Sequence, residues 1–213
     1  MLALLLIPSA AAATAPASGS HPASLVGDYD GHQMEMGAEL RLDADGRFQY
    51  GLAYGALDEE AEGTWVAAGD RVILTSDPVK APRFVLVTQR RGPAGTLRIA
   101  LDAPKQMLLQ YFDAIVERAS GRSDGEQFAD DGLSLPVDPH DPPVRVRLVM
   151  QLYDLRSDPV PVDAAKGYAL SFRFEPNDLG KVDFRGTSLR IENGELLIER
   201  LGRNIRFHRN AAP

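Results

Sequence analysis

His21, His32, His140 and His208 are the four histidines of the chain, and their spacing limits what they can do. None stands in the His-x-x-x-His or His-Glu-x-x-His pattern that puts two imidazoles on one helix face. A catalytic zinc needs two or three such ligands and an open position. His32 alone has soft company. In His32-Gln33-Met34-Glu35-Met36, an extended backbone would point His32, Met34 and Met36 to one face. An imidazole with two thioethers suits Cu(I). The simpler reading makes Met34 and Met36 core residues on an inward face, since Met often fills gaps in cores. No metal and no cofactor is therefore expected, with His32, Met34 and Met36 as the one candidate set. His208 follows Phe207 and reads as a solvated position.

Carboxylates are the next candidates. Asp58-Glu59-Glu60-Ala61-Glu62 and Asp138-Pro139-His140-Asp141 are acidic, but neither has the Asp-x-Asp-x-Asp-Gly frame of a calcium loop. Solvated turns are the expectation for both. Glu175-Pro-Asn-Asp-Leu-Gly180 reads as a tight turn, with Asn or Asp accepting left-handed backbone and Gly180 completing the reversal. Asp178 and Asp183 nearby could pair for acid–base work. A sugar cleft needs such a pair among aromatics, yet the chain has one Trp and 7% aromatic residues. Turn-building is the default. No Gly-x-Ser-x-Gly elbow, phosphate loop or Gly-x-Gly-x-x-Gly occurs. Arg200, Arg203, Arg206 and Arg209 alternate with apolar residues and are expected to coat the outside of the last hairpin.

The elements that would position these groups read as strands. Leu40-Arg-Leu42 and Phe48-Gln-Tyr50 flank Asp45-Gly46, whose glycine supplies the positive φ of a tight hairpin. Gly63 to Val66 and Arg71 to Leu74 flank Ala68-Gly69-Asp70. Arg83 to Gln89 and Thr96 to Leu101 flank Gly92-Pro93-Ala94-Gly95. Leu189 to Ile191 and Leu196 to Ile198 flank Asn193-Gly194, a strong hairpin signal, and Gly202-Arg203-Asn204 leads to Ile205-Arg-Phe207. Val144 to Met150 and Tyr168 to Phe174 are further strands. The segment from Lys105 to Ala119 stays open. Met107, Leu108, Tyr111, Phe112, Ile115 and Val116 fit a helical face, while a break near Gln110 would make Tyr111 to Glu117 a strand.

Composition sets the class. With 44% hydrophobic and 25% charged residues, the chain is an ordinary globular protein. A formal net charge of −7 argues against a nucleic-acid partner. The absence of Cys removes disulfides, thiol nucleophiles and thiolate metal sites together. Residues 1–27 hold no Asp, Glu, Lys or Arg. The run Met1 to Ile7, then Pro8 and Ala10 to Ala13, reads as the apolar core and cleavage region of a secretory signal. It is too short to span a bilayer. Export without Cys points to a bacterial periplasmic or extracellular protein.

Leu25-Val-Gly-Asp-Tyr29, Glu39 to Phe48, Glu62-Gly-Thr-Trp65 and Asp70 to Leu74 form an ordered series. It resembles the small lipocalin-like β-barrels of bacterial envelope proteins, such as the N-terminal domain of copper-stress sensor lipoproteins. The lipid-anchor Cys and the Cys pair of that domain are missing, so anchoring and copper response do not carry over. Ala119 to Gly125, Phe128 to Gly132 and Pro143 before Val144-Arg-Val-Arg resemble transthyretin-like or carboxypeptidase-regulatory-like sandwich modules. That resemblance favours the strand reading of Tyr111 to Glu117 and implies a structural or adhesive role.

The expectation is an all-β protein. Residues 1–22 are a signal-like arm, 23–102 a lipocalin-like meander or barrel, 103–180 a sandwich-like module, and 181–210 the strands that complete the first sheet. The expected function is non-enzymatic binding or interaction in the periplasm, with a small molecule or an envelope protein as partner. A carrier of a small apolar molecule, its cavity lined by Phe48, Tyr50, Trp65 and Leu74, is the alternative. Soft-metal binding at His32, Met34 and Met36, and an enzyme built on Asp178, stand behind it.

Overall fold

Wherever apolar and polar residues alternate, the backbone is extended. The computed structural model describes residues 21–210, so most of the signal-like arm lies outside the described residues. The first five strands are β1 (Gly27–Asp30), β2 (Met36–Leu42), β3 (Arg47–Tyr54), β4 (Leu57–Ala68) and β5 (Arg71–Ser76), each antiparallel to the next. Nine strands follow, from β6 (Arg83–Arg90) and β7 (Thr96–Asp102) through β8 (Phe112–Arg118), β9 (Ser123–Gln127) and β10 (Leu133–Pro136). The remaining four of these are β11 (Pro143–Met150), β12 (Leu155–Arg156), β13 (Val160–Pro161) and β14 (Ala169–Glu175). The chain ends with β15 (Arg185–Glu192), β16 (Glu195–Arg200) and β17 (Arg203–Arg209).

β15 pairs with β5 and β17 with β1, closing an eight-stranded antiparallel barrel in the order β1-β2-β3-β4-β5-β15-β16-β17. The C-terminal hairpins thus complete the sheet that the N-terminal meander begins. Asn193 (φ 53°) and Gly194 (φ 86°) supply the two left-handed residues that a tight β15–β16 turn requires. The next turn sits at Leu201-Gly202, slightly earlier than the turn residues suggest. Trp65 is buried, and its indole Nε1–H donates to the Asp43 carbonyl at 3.0 Å, fastening the Asp45-Gly46 hairpin to β4.

β6 to β14 form two further sheets, β10-β7-β14-β6 and β12-β11-β8-β9, with β13 also on β11. Their inner faces share one core that includes Ile99, Phe112, Val116, Leu148 and Phe172. This insertion corrects two expectations. The first meander stops at Ser76 and does not reach Asp102, because β6 and β7 belong to the second core. Nor do β6 and β7 form a hairpin: β14 lies between them, parallel to β7 and antiparallel to β6. The β6–β14 approach continues past the strand ends, where a Cβ on Gly167 would sit 2.6 Å from the Arg91 Cα. Lys105 to Ala119 resolves as one 3-10 turn (Leu109–Tyr111) followed by β8. Phe112, Ala114 and Val116 alternate into the core, so the strand reading holds.

Barrel and insertion are joined by two adjacent crossings. β4 is hydrogen-bonded to β5 only from Gly63 onward, and the free first half of β4 is met by the returning chain. Glu60 N donates to Gly180 O at 2.9 Å, and Val182 N donates to Glu60 O at 2.8 Å. Val182 and Phe184 then enter the barrel core. Asn177 (φ 44°) and Gly180 (φ 90°) make the reversal expected of Glu175 to Gly180. Among the described residues no helix is long and apolar enough to cross a membrane.

Candidate functional site

The barrel interior is filled by its own side chains. Trp65, Tyr29, Phe48, Phe207, Leu40, Leu42 and Leu74 are all at or below 2% exposure. Phe48, Tyr50, Trp65 and Leu74, expected to line a cavity, pack into this core instead. The hollows lie outside, on the outer face of β1 to β4.

Strand pairing puts residues of that outer face in rows. One row runs Asp30, Glu39, Gly51, Glu60 and ends at Lys181. Rows beside it hold Gly37, Ala53 and Asp58, and Asp28, Arg41, Gln49 and Glu62. Glu39 and Glu60 stand two strands apart, about 10 Å at ordinary strand spacing. Between them Gly51 contributes no side chain, and a Cβ placed there would meet nothing within 4 Å. The result is a notch with a backbone floor and a carboxylate on either wall.

Two hollows of about 520 and 600 Å³ meet at this notch and share His32, Glu39, Gly51 and Glu60. Tyr153, Leu179 and Gly180, from the insertion and its return segment, form the far wall of the first. Asp28, Asp30 and Arg41 line the second. Three carboxylates of the trough are matched: Asp30 with His32 at 2.5 Å, Asp28 with Arg41 at 3.8 Å, and Glu62 with Lys181 at 3.9 Å. Glu39, Asp58 and Glu60 have no ion pair among the described residues, so the trough is net acidic. The His32 backbone N–H, and then its ring, hold the Asp30 carboxyl below the usual carboxylate range.

The soft-ligand set does not assemble. Gln33 to Met36 is a tight turn closed by reciprocal backbone hydrogen bonds, and Glu35 takes a φ of 65°. Met34 projects from that turn at 86% exposure, whereas Met36 is buried in the barrel core. A turn breaks the alternation that would have aligned the two thioethers with His32. Among the described residues no group of three or more His, Asp or Glu is arranged to hold a metal ion.

Asp178 and Asp183 border one smaller groove of about 250 Å³, but each carboxylate is already engaged. Asp178 Oδ2 accepts the Lys80 backbone N–H at 2.7 Å, and Asp183 Oδ2 accepts Arg185 Nε–H at 2.7 Å. The acidic segment at Asp138 is likewise structural, with Asp141 accepting from the Ser120 N–H and hydroxyl at 2.8 and 2.9 Å.

Two residues have roles that sequence reading misses. Glu59 shares its strand face with Leu57, Ala61 and Trp65, and Arg200 shares its face with Leu196 and Ile198. Both point inward. Arg200 donates to Glu59 through Nε at 2.8 Å and Nη2 at 2.5 Å, so this arginine does not coat the outer face. The Tyr50 hydroxyl is buried near them without a hydrogen-bond partner, and burial pushes its phenol well above the ordinary value. The period-2 register was the available signal. Arg206 does lie outside, on Glu195, whereas Arg203 and Arg209 share the inward register of Ile205 and Phe207 and are exposed only at the strand ends, Arg203 over Tyr54 and Arg209 on the Ser24 and Val26 carbonyls.

Comparisons with known proteins add no assignment: no family model, curated protein or solved structure matches the chain.

Proposed function

We propose that this is a non-enzymatic binding protein of the bacterial envelope or its exterior, and that its ligand is polycationic. The carrying observation is the Gly51 notch, open above its backbone floor and walled by the unpaired carboxylates of Glu39 and Glu60. An ammonium group entering the notch meets negative charge on both sides and no side chain below. Asp58, also without an ion pair among the described residues, extends the negative field beside the notch, so a flexible chain with several spaced ammonium groups fits better than a single ion. The lipocalin-like resemblance of residues 25–75 agrees with a binding role, but the filled interior moves the ligand to the outer wall. Export rests on the signal-like composition of residues 1–22.

The test is calorimetric titration of the exported protein with spermidine and with trilysine. Binding is expected, weakening steeply from low to physiological salt because exposed charges are screened. Glu39→Gln/Glu60→Gln should abolish most of it. No binding at low salt, or binding unchanged in that double variant, overturns the proposal.

A further inference from the structure

The inserted sandwich has four outer positions, and three of them are blunted. β9 reads Ser-Asp-Gly-Glu-Gln, β10 is four residues long and ends in Pro136, and β11 is flanked only by the two-residue β12 and β13, the latter ending in Pro161. Charge, proline and shortness are the usual means by which a sheet edge avoids pairing with another chain. β6 has none of these three along its middle, where a bulge leaves Val87 unpaired between Leu86, opposite Phe172, and Thr88, opposite Ser171. Its eight residues, Arg83-Phe-Val-Leu-Val-Thr-Gln-Arg90, hold no Pro or Gly and no charge between the terminal arginines. It is hydrogen-bonded to β14 on one side, and among the described residues no strand lies on the other. Leu86 and Val87, at its centre, are 37% and 52% exposed.

Charge selects the occupant. Arg83 at one end shares Glu175 with Arg173, while Arg90 and Arg91 at the other have no ion pair among the described residues. A second copy fits poorly. Symmetric antiparallel pairing of two β6 strands, centred between Leu86 and Val87, sets Arg83 opposite Arg90 twice, and like charges directly opposed destabilise a strand pair. A strand with an uncharged alternating centre and acidic ends meets the same edge with its charges matched. We infer that β6 is a docking edge that takes an extended, acidic-ended segment of a partner protein as an added strand. The backbone ladder would supply affinity, and the arginines register and choice. This surface is distinct from the acidic trough and independent of what binds there.

The probe is a blocked synthetic peptide of two aspartates, a Val-Thr-Val-Thr-Val centre and two glutamates. Its control has the same centre between glutamines. Titration of the full chain is expected to show the acidic peptide binding about tenfold more tightly than the control at low salt. Amide exchange should slow across residues 83–90 when it binds. Val87→Lys places a charge mid-edge and should weaken binding about tenfold with the thermal midpoint unchanged. Should that variant fold poorly, Arg90→Glu/Arg91→Glu decides: it must weaken the acidic peptide while leaving the control's affinity unchanged. Absence of binding, equal binding of both peptides, protection outside β6, or self-association through β6 without peptide each overturns the inference.

Discussion

Replacing Gly51 with valine separates a binding role for the notch from a structural one, because the two predict opposite signs. Gly51 lies within β3 with an ordinary strand backbone, and a Cβ there contacts nothing within 4 Å. Glycine inside a strand costs about 0.5–1 kcal/mol relative to alanine, and valine is better suited to strands than either. Gly51→Val should therefore raise stability by about 0.5–1 kcal/mol, an increase in midpoint of about 1–4 °C for a chain of this size. The same side chain fills the floor between Glu39 and Glu60. Exclusion of an ammonium from two exposed carboxylates removes about 1–2 kcal/mol, weakening spermidine about 5- to 30-fold. Thermal unfolding and calorimetric titration on one preparation read both quantities. A variant that is less stable, or that binds spermidine as the parent does, refutes the reasoning. The first outcome would mean that Gly51 is present for the sheet, and the second that the ligand does not use the notch.

Arg200→Met leaves the Glu59 carboxylate at 7% side-chain exposure without its partner and should cost about 2–4 kcal/mol in denaturant unfolding, less than a fully buried pair because Arg200 is partly open. Adding Glu59→Leu should restore most of that loss. Gly194→Ala forces a side chain into left-handed backbone at a φ of 86° and should cost about 1 kcal/mol by the same measurement, although nothing crowds the site. Hydrogen bonds from Arg47 to Asp77, and from Ser120 to Asp141, hold both carboxyls below their usual value of 3.8. A folded pKa below the unfolded one contributes stability that is present above about 3.8 and lost as pH falls through the folded value. The midpoint should be flat from neutral to mildly acidic pH and fall below it, with Asp77→Asn removing part of the slope.

The hairpins were legible because turn chemistry and two-residue alternation are local. Asn193-Gly194 needs two positive φ values, and no partner elsewhere in the chain changes that. Strand neighbours were not legible in the same way. Arg83 to Gln89 and Thr96 to Leu101 show the alternation of a hairpin, yet β14, which begins only at Ala169, stands between them. Alternation says that one face is buried and leaves open against what. The same limit applies to the site. Glu59 and Arg200 look like surface charges by type, and only the register of Leu57, Ala61, Leu196 and Ile198 turns them inward. Glu39 and Glu60 lie on strands that are not adjacent, so nothing short of the β2–β3–β4 register shows that Gly51 separates them. The His32 set failed for a local reason that is hard to see in advance, a two-residue turn at Met34-Glu35 where alternation was assumed.

The insertion point ties these features together. β5 ends at Ser76, too early to cover the first half of β4, and the chain that returns from the sandwich fills the space it leaves. Ser76 holds that return at both ends, its N–H donating to Phe184 O at 2.8 Å and its hydroxyl to Val182 O at 2.8 Å. Val182 and Phe184 seal the core from inside, while Leu179 and Gly180, on the same segment, stand as the outer wall of the trough. Tyr153, from the sandwich itself, extends that wall. One stretch of about six residues therefore seals the barrel core and walls the first hollow, while the notch of Glu39, Gly51 and Glu60 stands on barrel strands alone. Shifting Gly180 would move the wall of the trough through the Glu60 backbone, whose N–H it accepts, and the Glu60 carboxylate would move with it.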